Sequence, residues 1–166
     1  MKNYVALLCV AALVTGCVNT KGNSAKANGE YEYASLAVTP NEMQSSTWAE
    51  LNRTAAKYPV KAARSITEGC TTIEYVVTPD NDVKDIKVVF ATDQHFAVEA
   101  SKVIKKWNWD DLPKGIIAQP VKTQTRFDFC INKSTEQCKA ASRQYACPSN
   151  DIIYSEGFIV KKVSFG

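Results

Sequence analysis

Gly69-Cys70-Thr71-Thr72-Ile73-Glu74-Tyr75-Val76-Val77-Thr78-Pro79-Asp80-Asn81-Asp82-Val83-Lys84-Asp85-Ile86-Lys87-Val88-Val89-Phe90 is the stretch on which the fold turns. Thr71, Ile73, Tyr75 and Val77 alternate with Cys70, Thr72, Glu74 and Val76. Alternation in β-prone residues predicts a strand. Pro79-Asp80-Asn81-Asp82 is a turn cluster, and Val83 to Phe90 reads as a second strand, so a hairpin is expected.

Downstream, Thr92 or Asp93 caps a helix whose apolar stripe is Phe96, Ala100, Val103, Ile104 and Trp107, with Glu99, Lys102, Lys105 and Lys106 on the other side. Trp107 is expected in the core and Trp109, beyond the stripe, partly exposed. Pro113 to Pro120 is a connection. A third strand follows, with Thr123, Thr125, Phe127, Phe129 and Ile131 on one face and Gln124, Arg126, Asp128 and Cys130 on the other. Upstream, Thr47 is placed to cap a helix from Trp48, with Glu50 completing a capping box and Trp48, Leu51 and Ala55 on one face. Tyr58-Pro59 ends that helix, and Pro59 opens a second one through Arg64. Glu68-Gly69 closes the region.

The chain begins Met1-Lys2-Asn3, runs apolar from Tyr4 to Val14, and reaches Leu13-Val14-Thr15-Gly16-Cys17. This is the pattern of a secretory signal, and its ending looks like a bacterial lipobox. Residues 1–16 are therefore expected to be a lipoprotein signal peptide and Cys17 the lipidated first residue. The apolar run is shorter than the about 20 residues of a spanning helix. Val18, rather than Asp, follows the cysteine, which points to an outer-membrane lipoprotein facing the periplasm. Residues 17–46 are small and polar and read as a flexible tether with a reach of roughly 30 Å.

The 166-residue length suits one domain with extra tail. A net charge of +3 is too small to argue for nucleic acid. Of six cysteines, Cys9 falls in the signal and Cys17 carries lipid. Cys70, Cys130, Cys138 and Cys147 remain, and in an oxidising compartment they read as two disulfides with three possible pairings. They contain no CxxC half-site, and His95, the only histidine, is not spaced to complete a metal site. Asp80, Asp82 and Asp85 lack the calcium-loop pattern, and no Gly-rich phosphate loop is present. No Ser or Cys nucleophile has a recognisable base beside it. The sequence thus points to a protein that is not an enzyme and needs no cofactor.

Tyr58-Pro59, Ala62-Ala63-Arg64, Glu68-Gly69, the Asp80-Asn81-Asp82-Val83 turn, Lys106-Trp107-Asn108-Trp109 and Phe127-Asp128-Phe129 follow one another in an order that resembles the C-terminal domain of the TonB family. The resemblance covers roughly residues 55 to 132. Asn81 stands where the family usually has Gly, and Asn also tolerates positive φ. The resemblance implies an α+β fold: a ββαβ three-stranded sheet of order 2-1-3 with helices on one face, over residues 47–132. Residues 133–166 would then be a disulfide-bonded C-terminal extension. In such a fold the end of the third strand lies beside the start of the first. That arrangement implies a Cys70–Cys130 disulfide and, by remainder, Cys138–Cys147.

TonB proteins grip an extended segment of an outer-membrane transporter by strand addition at the edge of this sheet. An unpaired edge offers N–H and C=O groups that a peptide strand satisfies. The resemblance therefore implies a protein partner, engaged through Lys122, Gln124, Arg126 and Asp128 of the third strand, within TonB-dependent transport. The family's uncleaved membrane helix and Pro-rich rod are absent, which argues against energy transduction by this chain itself. The alternative is a structural envelope lipoprotein that pairs with itself, a homodimer included. Ile152-Ile153-Tyr154 and Phe158-Ile159-Val160 are strand-prone. Two readings stand open for this tail: one of the segments covers the third strand's edge and competes with a peptide there, or the tail packs loosely.

Overall fold

A computed structural model describes residues 32–159. The readings of the signal peptide, Cys17, the first part of the tether and Val160 lie outside the described residues. The elements are α1 (Val60–Arg64), β1 (Gly69–Val77), β2 (Val83–Ala91), α2 (Gln94–Ile104), β3 (Val121–Ile131), α3 (Thr135–Ser142) and β4 (Ile152–Gly157). Short 3₁₀ turns stand at Glu42–Gln44, Ser46–Trp48 and Trp109–Asp111.

The hairpin forms as its alternation requires. β1 pairs antiparallel with β2, and Asn81 takes φ 64° in the turn between them. β1 also pairs antiparallel with β3, so β1 is central and the order begins 2-1-3. The sheet continues by one strand beyond that expectation: β4 joins β3 in parallel, giving β2-β1-β3-β4. A parallel pair needs a crossover connection, and α3 lies in it. The Ser134 hydroxyl caps the Gln137 N–H, and the Gln137 side chain accepts from the Ser134 N–H.

One sheet face carries Ile73, Tyr75, Val77, Phe127, Phe129 and Ile131 into the core against Phe96, Ala100 and Ile104 of α2. Phe96 stacks on Phe129 at 4.2 Å, and Tyr58 meets both rings edge-on. Each such buried side chain contributes about 1.5–3 kcal/mol. Asp93 caps α2 by accepting from the His95 N–H at 2.7 Å, and its carboxyl also meets the His95 ring at 2.8 Å. Trp109 is buried rather than partly exposed. The turn at Trp109–Asp111 folds it under the end of α2, where its Nε1 donates to the Ile104 carbonyl at 2.7 Å.

Two further expectations are corrected near the N-terminus. No helix begins at Trp48; the chain makes a 3₁₀ turn there and then runs irregularly to Pro59. Backbone groups that a helix would use are taken by distant partners. The Asn52 N–H donates to Asn108 Oδ1, and the Thr54 carbonyl accepts from Trp107 Nε1. Trp48 and Leu51 are buried as expected, whereas Ala55 is exposed. The tether also gives way to packed chain before residue 46, because Val38 pairs with Lys122 and Met43 is buried.

The disulfides are Cys70–Cys147 and Cys130–Cys138, not the implied pairs. Register explains the difference. Cys70 lies opposite Asp128, and Gly69 opposite Phe129. Cys130 is thus one strand over and two residues along from Cys70. That is roughly 8 Å by strand geometry, beyond the about 7 Å limit for a bridge. Cys138 on α3 and Cys147 before β4 come within reach instead, at Cα separations of 5.6 and 6.1 Å.

Candidate functional site at the sheet margins

The strand read as the partner-binding edge is internal. The chain itself closes the outer margin of β3 in successive sections. At its start, Val38 pairs in parallel with Lys122, the Thr39 N–H donates to the Lys122 carbonyl at 2.8 Å, and Thr123 Oγ1 donates to the Thr39 carbonyl. In the middle, Ser149 Oγ donates to the Gln124 carbonyl at 3.0 Å. From Arg126 onward β4 takes over, in register from Arg126–Ile152 to Ile131–Gly157. The ladder is bracketed by Arg126 N–H to the Asp151 carbonyl and Asn132 N–H to the Gly157 carbonyl, both 2.8 Å.

The side chains named for that edge are engaged within the domain. Lys122 Nζ donates to the Ala34 carbonyl at 3.0 Å, and Gln124 Nε2 to Glu74 Oε2 at 2.8 Å. Arg126 holds both oxygens of Asp128, at 2.7 and 3.1 Å, and its Nη1 donates to the Cys147 carbonyl. This forked ion pair is buried and ties the sheet to the segment that carries Cys147. The physical cause of the correction lies downstream: α3 returns the chain so that a β-prone segment satisfies backbone groups that would otherwise be bare.

β4 is held at both ends. At its start, Asp151 is 2 % exposed and accepts from Arg53 Nη1 at 2.7 and 2.8 Å and from Thr125 Oγ1 at 2.7 Å. Thr125 in turn bonds the Tyr75 hydroxyl at 2.9 Å, and the Arg53 guanidinium lies 5.8 Å from the Trp107 ring centre. Burial pushes the Tyr75 hydroxyl far above its ordinary pKa, so it remains neutral beside Asp151. At its end, Gly157 lies against Tyr58 so closely that an added Cβ would stand 2.5 Å from the ring.

With β3 closed, the sheet ends at β4 and β2. In a parallel ladder alternate residues turn their backbone groups to each side. Asp151 and Gly157 bond β3, so Ile152, Tyr154 and Glu156 turn their N–H and C=O outward. Among the described residues no strand pairs with that margin. Among the described residues the outer margin of β2 is open as well, with Val88, Val89 and Phe90 exposed, but β2 has register shifts against β1. Such irregularities discourage further pairing. Asp85, in one of them at φ 49°, accepts from the Glu32 and Tyr33 N–H groups.

Sequence reasoning missed the roles of Arg53, Ser149 and Asp151. No local pattern marks an ion pair between residues so far apart. α3 did have a signal, the capping box from Ser134 to Gln137.

Residues 54–131 match the family described as Gram-negative bacterial TonB protein C-terminal. A comparison with curated proteins finds no match. The family match stops at Ile131, the last residue of β3. Val38, Arg53, α3, Asp151 and β4, which together close and brace the β3 margin, all lie outside it.

Proposed function

Because residues 54–131 form a TonB C-terminal domain, we propose that this chain is a non-enzymatic envelope lipoprotein that recognises a protein partner by strand addition, in transport across the Gram-negative envelope, and that the partner strand joins β4 rather than β3. The observation that carries this reading is the outward-facing backbone of Ile152, Tyr154 and Glu156 at the end of the sheet. An extended segment of a transporter satisfies such groups and draws its affinity from main-chain hydrogen bonds. Lipid on Cys17 holds the domain at the outer membrane, facing the periplasm. About 20 residues of sequence separate Cys17 from Val38. That length suits a module working close to its membrane.

The test is site-specific photocrosslinking in intact cells. A probe at Tyr154 is expected to capture a transporter segment, and a probe at Gln124 to capture none. The Tyr154 N–H faces away from β3, so Tyr154→Pro removes an outward donor without breaking the β3–β4 ladder. This variant should fold and lose the partner. If deletion of residues 150–166 instead creates capture at Gln124, β3 is the binding strand and β4 its competitor.

A second reading, self-association into a structural envelope factor, is favoured by the exposed Val88, Val89 and Phe90 of β2. Mass measured against concentration separates the two. A dimer abolished by Val89→Lys, with no partner captured at Tyr154, would establish self-association.

A further inference from the structure

α1 ends in a Schellman motif: the Thr67 N–H donates to the Ala62 carbonyl and the Ile66 N–H to the Ala63 carbonyl. The motif places its residue after the cap in the left-handed region, where glycine is the usual choice. Here that residue is Ile66, at φ 52°, and its side chain is 62 % exposed. A β-branched residue there costs backbone energy and contributes almost nothing to the core. Val60, at the start of the same helix, is 59 % exposed, and Phe158, just after β4, is 68 % exposed. These three are the most exposed large apolar side chains among the described residues. Val60 and Phe158 border one groove of about 540 Å³ between α1 and the end of β4.

The charge around this groove has one dominant sign. Lys57 and Arg64 line it, and Lys61 stands exposed on α1. The one carboxylate in the lining, Glu156, is hydrogen-bonded by the Thr135 hydroxyl. Two more lysines, Lys161 and Lys162, follow in the sequence. Protruding apolar side chains fringed by cations match a surface that is apolar beneath and anionic on top. A peptide strand is a poorer match, because of the open β4 margin only Glu156 lines the groove, and the opposite wall, α1, offers no sheet edge.

We propose that the face built from α1 and the end of β4 rests on an anionic phospholipid surface, with Val60, Ile66 and Phe158 entering the headgroup layer and Lys57, Lys61 and Arg64 meeting phosphates. This contact orients the domain and does not depend on strand addition or on the lipid at Cys17. Three cations near such a surface give roughly a hundredfold preference for anionic over neutral lipid.

The test is amide exchange on the full chain with vesicles of phosphatidylcholine alone, with vesicles containing phosphatidylglycerol, and without vesicles. A lipid on Cys17 would anchor the chain to both vesicle types equally, so the difference between them reports this face. Amides of residues 60–66 and 157–159 are expected to slow only with phosphatidylglycerol, and to recover in high salt. The pair Ile66→Asn and Phe158→Ser should abolish the slowing. Asn accepts the left-handed conformation, and both sites are exposed, so folding is retained. Equal slowing with both lipids, no slowing with either, or slowing unchanged in the double variant would overturn the proposal. Slowing produced only by an added transporter peptide would assign the groove to a protein partner.

Discussion

Replacing Asp151 by Ala removes the anchor at the start of β4. The carboxylate is almost fully buried and receives its hydrogen bonds from Arg53 and Thr125. Its loss leaves the Arg53 guanidinium over Trp107 without a counter-ion and the Thr125 hydroxyl with Tyr75 as its remaining side-chain partner. Breaking a buried ion pair costs about 3–5 kcal/mol. Arg53 is 21 % exposed, so water recovers part of that, and the expected loss is about 2–3 kcal/mol. At a urea slope of about 1.5 kcal/mol per molar, the unfolding midpoint of the disulfide-intact protein falls by about 1.5–2 M. The weakening should also be local. Amides of Ile153 and Ser155 are expected to exchange faster than those of β1, because opening β4 leaves the β1–β2 and β1–β3 ladders in place. A double-mutant cycle with Arg53→Ala separates the pair from its surroundings. A midpoint shift below about 0.3 M, or equal loosening of β1 and β4, would refute the view that Asp151 anchors β4.

Chain-entropy arguments rank the disulfides. Cys70–Cys147 spans 77 residues and Cys130–Cys138 only 8. Replacing the first pair by Ser should cost about 4–5 kcal/mol and the second about 2–3 kcal/mol; chemical denaturation measures both, and peptide mapping should recover Cys70 joined to Cys147. Gly157→Ala should cost about 1–3 kcal/mol by overpacking against Tyr58, and a lower Tm that Tyr58→Ala relieves would confirm the contact. Asp93→Ala should cost about 1 kcal/mol at neutral pH through loss of the α2 cap. The His95 N–H holds the Asp93 carboxyl below its ordinary value of 3.8, so the contribution is full above that pH and is lost as pH falls through the depressed value. The gap between variant and parent should therefore close in acid.

Much of the domain between Pro59 and Ile131 was legible in local patterns. The hairpin, α2 and β3 stand within a few residues of where alternation, turn residues and the apolar stripe put them, because those signals repeat within each element. The segment from Trp48 to Tyr58 shows where local reading fails. Its capping-box spacing is real, but Asn108 and Trp107 claim its backbone, and such tertiary bonds leave no trace in spacing. The disulfides failed for a related reason. Strand order alone put Cys70 and Cys130 at neighbouring ends, while the pairing depended on register, which alternation does not fix. The tail was recognised as strand-prone next to an edge. Ile152–Gly157 does cover β3, but its anchoring by Arg53 rests on two residues separated by almost a hundred positions.

The ladder that sets Cys70 opposite Asp128 also has a consequence for how the molecule is made. On the neighbouring strand the thiol nearest Cys70 belongs to Cys130, whereas Cys147 lies further along the chain, before β4. Two residues of offset keep those sulfurs apart once the strands zip together. An early crosslink between them would demand a slipped alignment, in which every inward ring of β3 is misplaced. Alignment therefore sorts the thiols, leaving Cys70 for Cys147 and Cys130 for Cys138.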